Sequence, residues 1–278
     1  LHVRSRRQRQ MCIRDSTCVT GQHREMLDQV LEIFDIEPDY DLNIFKKGQS
    51  LTDVTTKTLL GLEDILDELK PDILLVQGDT TTVFAAALAA FYKKIKIGHV
   101  EAGLRSGNLY SPYPEEANRK LTGVLSNYHF APTESNRQNL LREGYDDKNI
   151  FITGNTVIDA LKYSVKEDFL FDDEILNNLD YNKDVVLLTA HRRENWGEPM
   201  ENIFSAIRQV VLERENIEIV FPIHLNPIVR NTAKKYFSDL DRVHLIEPLS
   251  YLPFSNLMAR VKSVSYTHLR AHETPEHL

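Results

Sequence analysis

Residues 72–100 read DILLVQGDTTTVFAAALAAFYKKIKIGHV, and the fold is decided there. Ile73–Val76 is an unbroken apolar run that stops at Gly78, the mark of a short strand buried on both faces of a parallel sheet. Threonines 80–82 open a helix and Lys93 and Lys94 close it, as capping and the helix dipole favour. IKIGHV, residues 95–100, is the next strand, which completes one strand–helix–strand unit.

The same alternation extends in both directions. Upstream, Met26, Leu27, Val30, Leu31 and Phe34 keep helical spacing across 24–34, and a second helix over 51–69 is closed by Pro71. Downstream, HFAPT (129–133) and NIFITG (149–154) are two more short strands. A second series follows: strand DVVLLTAH (184–191), helix 199–213, strand IEIVFPIH (217–224), helix 227–237 and strand RVHLIEPL (242–249). Repeated strand–helix units with right-handed crossovers imply an α/β protein with parallel sheets covered by helices on both faces. A length of 278 residues exceeds one typical domain of roughly 100–200 residues, so two domains are expected. The segment NTVIDALKYSVKED, with its acidic continuation to Asp173, is the expected linker. The expected domains are therefore 17–160 and 161–262.

Both ends read as foreign to this pattern. Residues 1–16 carry five arginines with neither helical nor strand periodicity, and 263–278 hold His268, His272 and His277 at no metal-ligand spacing. A net charge of −8 argues against a nucleic-acid partner, and no apolar run approaches the roughly 20 residues of a membrane span. Cys12 and Cys18 fit no redox or zinc motif, so the expected location is a reducing cytoplasm.

In open α/β sheets, reactive side chains belong at the carboxyl ends of strands. Asp79 and Glu101 stand there, one strand–helix–strand unit apart, and their strand ends lie about 5 Å apart if the strands are neighbours. As plain structure, Asp79 is a helix cap before Thr80–Thr82 and Glu101 a solvated loop residue. SPYPEEANRKL then places Pro114 at a helix start with Glu115 and Glu116 in its first turn. Glu115 is thus either an ordinary helix-start carboxylate or a third reactive one. In the second half, His191 ends a strand and Arg192, Arg193 and Glu194 follow, while His224 holds the matching place one strand later. Guanidinium groups there suit phosphate oxygens, although a surface charge run reads the same way. G-x-G-x-x-G, Walker A and G-x-S-x-G are all absent, which counts against a nicotinamide or flavin enzyme, a P-loop ATPase and a nucleophile-elbow hydrolase.

GQHREMLDQVL, QGDTTT, HVEAGLR, YPEEANR, ITGNTVIDAL, HRREN and PIHLNP occur in this order. Together they resemble the bacterial non-hydrolysing UDP-N-acetylglucosamine 2-epimerases, from Thr17 to about Arg260. The resemblance implies a GT-B-type pair of Rossmann-like domains with the active site in the cleft between them. It implies reversible conversion of UDP-N-acetylglucosamine to UDP-N-acetylmannosamine for surface polysaccharide synthesis. The route is elimination of UDP to 2-acetamidoglucal and re-addition. No redox cofactor and no metal are implied; the partners are UDP-N-acetylglucosamine, UDP and a second copy in a homodimer. By the match, Asp79, Glu101 and Glu115 are acid/base groups, with His191 at the UDP phosphates and Arg192 in the substrate site. Phe254 lies beside the uracil, and Gln22, His23, Arg192 and His224 belong to a regulatory substrate site. Family members begin with a strand followed by GTRPE and continue into DSGG, both replaced here by the foreign-looking ends. The expectation is two incomplete sheets, the first lacking its opening strand, and a chain inactive as written. A hydrolysing 2-epimerase, another GT-B glycosyltransferase and a catalytically silent nucleotide-sugar-binding module stay open as alternatives.

Overall fold

The computed structural model describes residues 14–22, 24–190 and 196–266. Its contacts divide the chain into two units between Thr156 and Val157.

The first unit opens with β1 (Cys18–Val19), α1 (Arg24–Ile33) and β2 (Tyr40–Asp41), and β1 and β2 pair in parallel as a sheet of their own. Helix α2 (Leu51–Leu69) leads to β3 (Ile73–Gln77), α3 (Thr81–Tyr92), β4 (Lys96–Val100), α4 (Glu115–Leu125), β5 (Tyr128–Ala131), α5 (Glu134–Arg142) and β6 (Ile150–Ile152). The four strands β3-β4-β5-β6 form a parallel sheet in sequence order. Local chemistry sets the bounds of α2. Ser50 and Asp53 form a reciprocal capping box at its start, and Lys70 ends it in the left-handed conformation. Its stripe of Val54, Thr58, Leu62 and Leu66 is buried. Leu62 and Leu66 meet Val76, Ile97 and the alanine-rich side of α3, and each such leucine stabilises by about 1.5–3 kcal/mol. Small side chains at Ala85, Ala87, Ala89 and Ala90 let α3 pack between α2 and α4.

The second unit contains most of α6 (Thr156–Ser164), then α7 (Glu174–Asn178), β7 (Asp184–Thr189), α8 (Glu198–Glu213), β8 (Ile217–Pro222), α9 (Pro227–Phe237), β9 (Val243–Ile246), α10 (Tyr251–Arg260) and β10 (Ser263–Tyr266). Its parallel sheet has the order β10-β7-β8-β9. Phe204 of α8 packs edge-on against Phe221 of β8 and tilted against Phe237 of α9, the centre of one core cluster.

Three expectations need correction. Strand β3, expected to be buried on both faces, stands at the edge of its four-stranded sheet and leaves Ile73 and Leu75 exposed; the expected linker holds the boundary between the units, and within it Thr156–Ser164 is helical, with Asn256 accepting from Lys166 N and donating to Ser164 O. Residues 263–266, grouped with the foreign tail, form β10 and pair with Val186–Thr189 of β7. Pro114 is the cap of α4 rather than its first helical residue, which passes to Glu115. The remaining predicted strands and helices appear with ends shifted by a few residues, as fraying and one-turn ambiguity produce.

Candidate active site

The parallel register pairs Gln77 with Val100 at the carboxyl ends of β3 and β4. Asp79 and Glu101 therefore leave adjacent strands side by side. The ladder extends one step further, since Gly78 N donates to Val100 O at 3.1 Å. Gly78 has φ of +85°, and a methyl group there would come within 3.7 Å of Glu101 Oε2, so the Glu101 carboxylate leans over the chain leading to Asp79. Gln77 Nε2 donates to Glu101 Oε1 at 3.4 Å and to Thr156 Oγ1 at 2.9 Å.

Glu101 itself adopts φ of +66°, a left-handed conformation that costs a non-glycine residue about 1–3 kcal/mol. The turn beyond it is rigid. Ala102 N donates to Phe130 O, and Asn139 Nδ2 donates to Gly103 O at 2.9 Å. A side chain at Gly103 would strike the Asn136 carbonyl oxygen at 2.3 Å, so only glycine lets the turn lie this close to α5.

Asp79 is not the helix cap that its position allows. Thr80 holds the cap position of α3 and makes no side-chain cap bond. Asp79 Oδ2 instead accepts from Arg119 Nη2 at 2.6 Å and Nε at 3.1 Å, and Asn118 Nδ2 donates to the Asp79 carbonyl at 2.9 Å. Arg119 Nη1 turns back to Glu116 Oε2 at 3.1 Å. Asp79, Glu116 and Arg119 are all buried. Removing Arg119 would strand two buried carboxylates, a loss of about 3–5 kcal/mol for the pair it breaks. Asn118 and Arg119 also bring the first turn of α4 to Asp79, and Glu115 heads that turn. One Glu115 carboxyl oxygen is buried with no hydrogen-bond partner among the described residues, an arrangement suited to a donor that arrives from outside the chain.

Below these groups lie two histidines in register on β4 and β5, His99 and His129. His99 Nε2 meets the Gly78 carbonyl at 2.8 Å, and burial pulls its pKa down to about 4. His129 packs on Tyr145 with ring centroids 4.5 Å apart, and burial pulls it down to about 4 as well. Both are neutral near pH 7, so the floor of the site is polar without carrying charge.

The structure thus brings Asp79 and Glu101 together and links α4, with Glu115, to them. Arg119, Glu116 and His99 were not among the sequence candidates. The one signal for the first two was the three-residue spacing of Glu116 and Arg119 within EEANR. His23, His191 and Arg192 lie outside the described residues. Gln22 stands half-buried after β1, and His224 is exposed, its Nδ1 accepting from Asn226 N at 3.1 Å. Phe254 lies half-buried on α10 against the cluster of Phe171, Leu176 and Leu257. No group of three or more His, Cys, Asp or Glu among the described residues is arranged to hold a metal ion.

Two Rossmann-like α/β units with parallel sheets, the first carrying acidic residues at adjacent strand ends, define an α/β protein of the GT-B class. The family model for UDP-N-acetylglucosamine 2-epimerase matches residues 6–265, and the chain belongs to that family. A putative UDP-N-acetylglucosamine 2-epimerase of Thermotoga maritima is 58% identical over 244 residues, covering 87% of this chain and 64% of the relative. The Bacillus subtilis UDP-N-acetylglucosamine 2-epimerase is 54% identical over 242 residues, covering 87% of this chain and 63% of the relative. Among solved structures, UDP-GlcNAc 2-epimerase from Neisseria meningitidis bound to UDP-GlcNAc superposes with a TM-score of 0.80 at 49% identity, covering 93% of this chain and 71% of that one. The chain spans about 64% of the length of the first curated relatives it matches.

Proposed function

We propose that this chain carries the acid/base groups of a non-hydrolysing UDP-N-acetylglucosamine 2-epimerase, which interconverts UDP-N-acetylglucosamine and UDP-N-acetylmannosamine. The observation that carries the reading is the register of β3 and β4, which sends Asp79 and Glu101 from adjacent strand ends while α4 supplies Glu115. The sugar's C2 proton is not next to a carbonyl, so direct removal and return is slow. Elimination of UDP gives 2-acetamidoglucal, and protonation from the opposite face followed by re-addition of UDP gives the epimer. That route needs acid/base groups near both faces of the ring, the role of Asp79, Glu101 and Glu115. In the same reading His191 and Arg192 hold the departing phosphates, with the protonated imidazole stabilising the charge that develops on them. Phe254 borders the uracil, and Gln22, His23, Arg192 and His224 form a second, regulatory substrate site.

The protein acts in the cytoplasm, supplies surface polysaccharide synthesis and works as a homodimer. No helix among the described residues is long and apolar enough to cross a membrane, which accords with that location. The outer sides of α2, α3 and α4 expose Leu60, Phe91, Tyr92, Leu121 and Val124, an apolar surface of the kind subunits bury.

The test is incubation with UDP-N-acetylglucosamine in D₂O, followed by NMR of the products. The expected result is UDP-N-acetylmannosamine carrying deuterium at C2, because the removed proton exchanges with solvent. Retention of the original hydrogen would replace elimination with a mechanism such as transient oxidation. Release of free N-acetylmannosamine would show a hydrolysing enzyme, and binding without exchange a silent module.

A further inference from the structure

The peptide that joins Gly78 to Asp79 lies past the end of β3, and a glycine precedes it. Gly78 has φ of +85°, and glycine turns about its own two backbone bonds more freely than any other residue. The ladder holds its N–H, which donates to Val100 O at 3.1 Å. Its carbonyl is held by a side chain instead, with His99 Nε2 at 2.8 Å. A carbonyl oxygen only accepts, so the imidazole, neutral near pH 7, carries its proton on Nε2 and donates it there. One residue on, Asn118 Nδ2 donates to the Asp79 carbonyl at 2.9 Å. The Asp79 backbone is therefore held on both sides, by His99 of β4 before it and by Asn118 of α4 after it. Glu101 shares the arrangement, since a methyl group at Gly78 would come within 3.7 Å of its Oε2.

His99 is 1% exposed, at a strand position where an apolar side chain is the ordinary occupant. Burying an imidazole there is unfavourable unless its N–H finds a partner, and the partner it has is the peptide beside both candidate carboxylates. We propose that His99 is a positioning residue: its donation to the Gly78 carbonyl fixes the Gly78–Asp79 peptide, and with it the places from which Asp79 and Glu101 meet the sugar. The proposal rests on the acid/base reading of those two residues given above. A histidine that only filled the core would be replaced without loss by Leu, which is close to it in volume, and less well by polar Gln. The positioning role reverses that order. Gln carries an N–H donor about as far from the backbone as Nε2 does, and Leu carries none.

The experiment compares His99→Leu with His99→Gln. In the epimerase assay His99→Leu should lose roughly 10–10²-fold in kcat with KM within about threefold, as a slight misplacement of reacting groups does. His99→Gln should stay within about threefold of the unaltered chain in kcat. A Leu variant as fast as the Gln variant overturns the proposal. Carboxyl-carbon NMR of Asp79 and Glu101 reads their placement without turnover. Both signals should move in His99→Leu and stay in place in His99→Gln; the same displacement in both variants, or in neither, overturns the proposal. An inactive unaltered chain would count against the proposed function and leave these signals to decide His99. If the variants do not fold, nitrogen NMR of the unaltered chain still decides: His99 should hold its proton on Nε2 at neutral pH, and a proton on Nδ1 overturns the proposal.

Discussion

Acid should loosen the first unit well before its carboxylates are protonated, because two histidines beneath the site are buried uncharged. His99 has its pKa lowered from 6.5 to about 4, with burial as the largest cause. The unfolded chain therefore takes up protons below about pH 6.5 that the folded chain refuses until about pH 4. Stability is at its full value above the unfolded pKa, falls with pH across that window and levels off below it, as far as this group is concerned. The full stake of His99 is about 3 kcal/mol, and about 2 kcal/mol of it is gone by about pH 5. His129 is lowered to about 4 by the same cause and adds a similar amount. The assay is amide hydrogen exchange of β4 and β5, corrected for the intrinsic pH dependence of exchange, between about pH 7 and pH 5. Protection of these strands should drop by roughly 4 kcal/mol if opening exposes both rings. The variant His129→Phe separates the two contributions. Nδ1 of His129 has no hydrogen-bond partner among the described residues, so an apolar ring of similar shape is tolerated and halves the pH slope. Equal protection at both pH values would refute the reasoning and mean that the rings accept protons in place.

Three further outcomes are expected. Asp79→Asn, Glu101→Gln and Glu115→Gln should each lower turnover by roughly 10²–10⁴, measured by steady-state kinetics, with circular dichroism unchanged; near-normal turnover in all three would move the chemistry elsewhere. Gly103→Ala should destabilise by about 3 kcal/mol or more in urea unfolding, since its side chain meets the Asn136 carbonyl oxygen at 2.3 Å and φ is +88°. Val124→Asp on the exposed apolar side of α4 should turn a dimer into a monomer in light scattering without changing helix content; an unaltered mass would place the dimer contact on another surface.

What could be read from the sequence was what neighbouring residues decide among themselves. The end of α2 was legible because Pro71 is a local signal, and β3 because an unbroken apolar run bounded by a turn admits few other structures. Helix α5 was not legible. It buries only Asn136 and Leu140, and Asn136 stands where a capping box usually carries Glu or Gln. Strands β1 and β2 span two residues each, too short for any periodicity. The site divides along the same line. Asp79 and Glu101 were found because both follow strand ends, a position given by the strands themselves. What Asp79 does there was not decidable, since Asp-Thr-Thr-Thr is also a good helix start. Its partner, Arg119, lies 40 residues away and arrives only when α4 packs beside α3. Arg119 brings Asp79 a full opposite charge and two donors, which a backbone amide does not, so once the helices meet, the distant arginine takes Asp79 and Thr80 is left to begin α3. Glu116 completes the cluster, accepting from the amides of Ser106 and Gly107 as well as from Arg119. The positions of these candidate groups were therefore local information, and the charged partner that meets Asp79 was not.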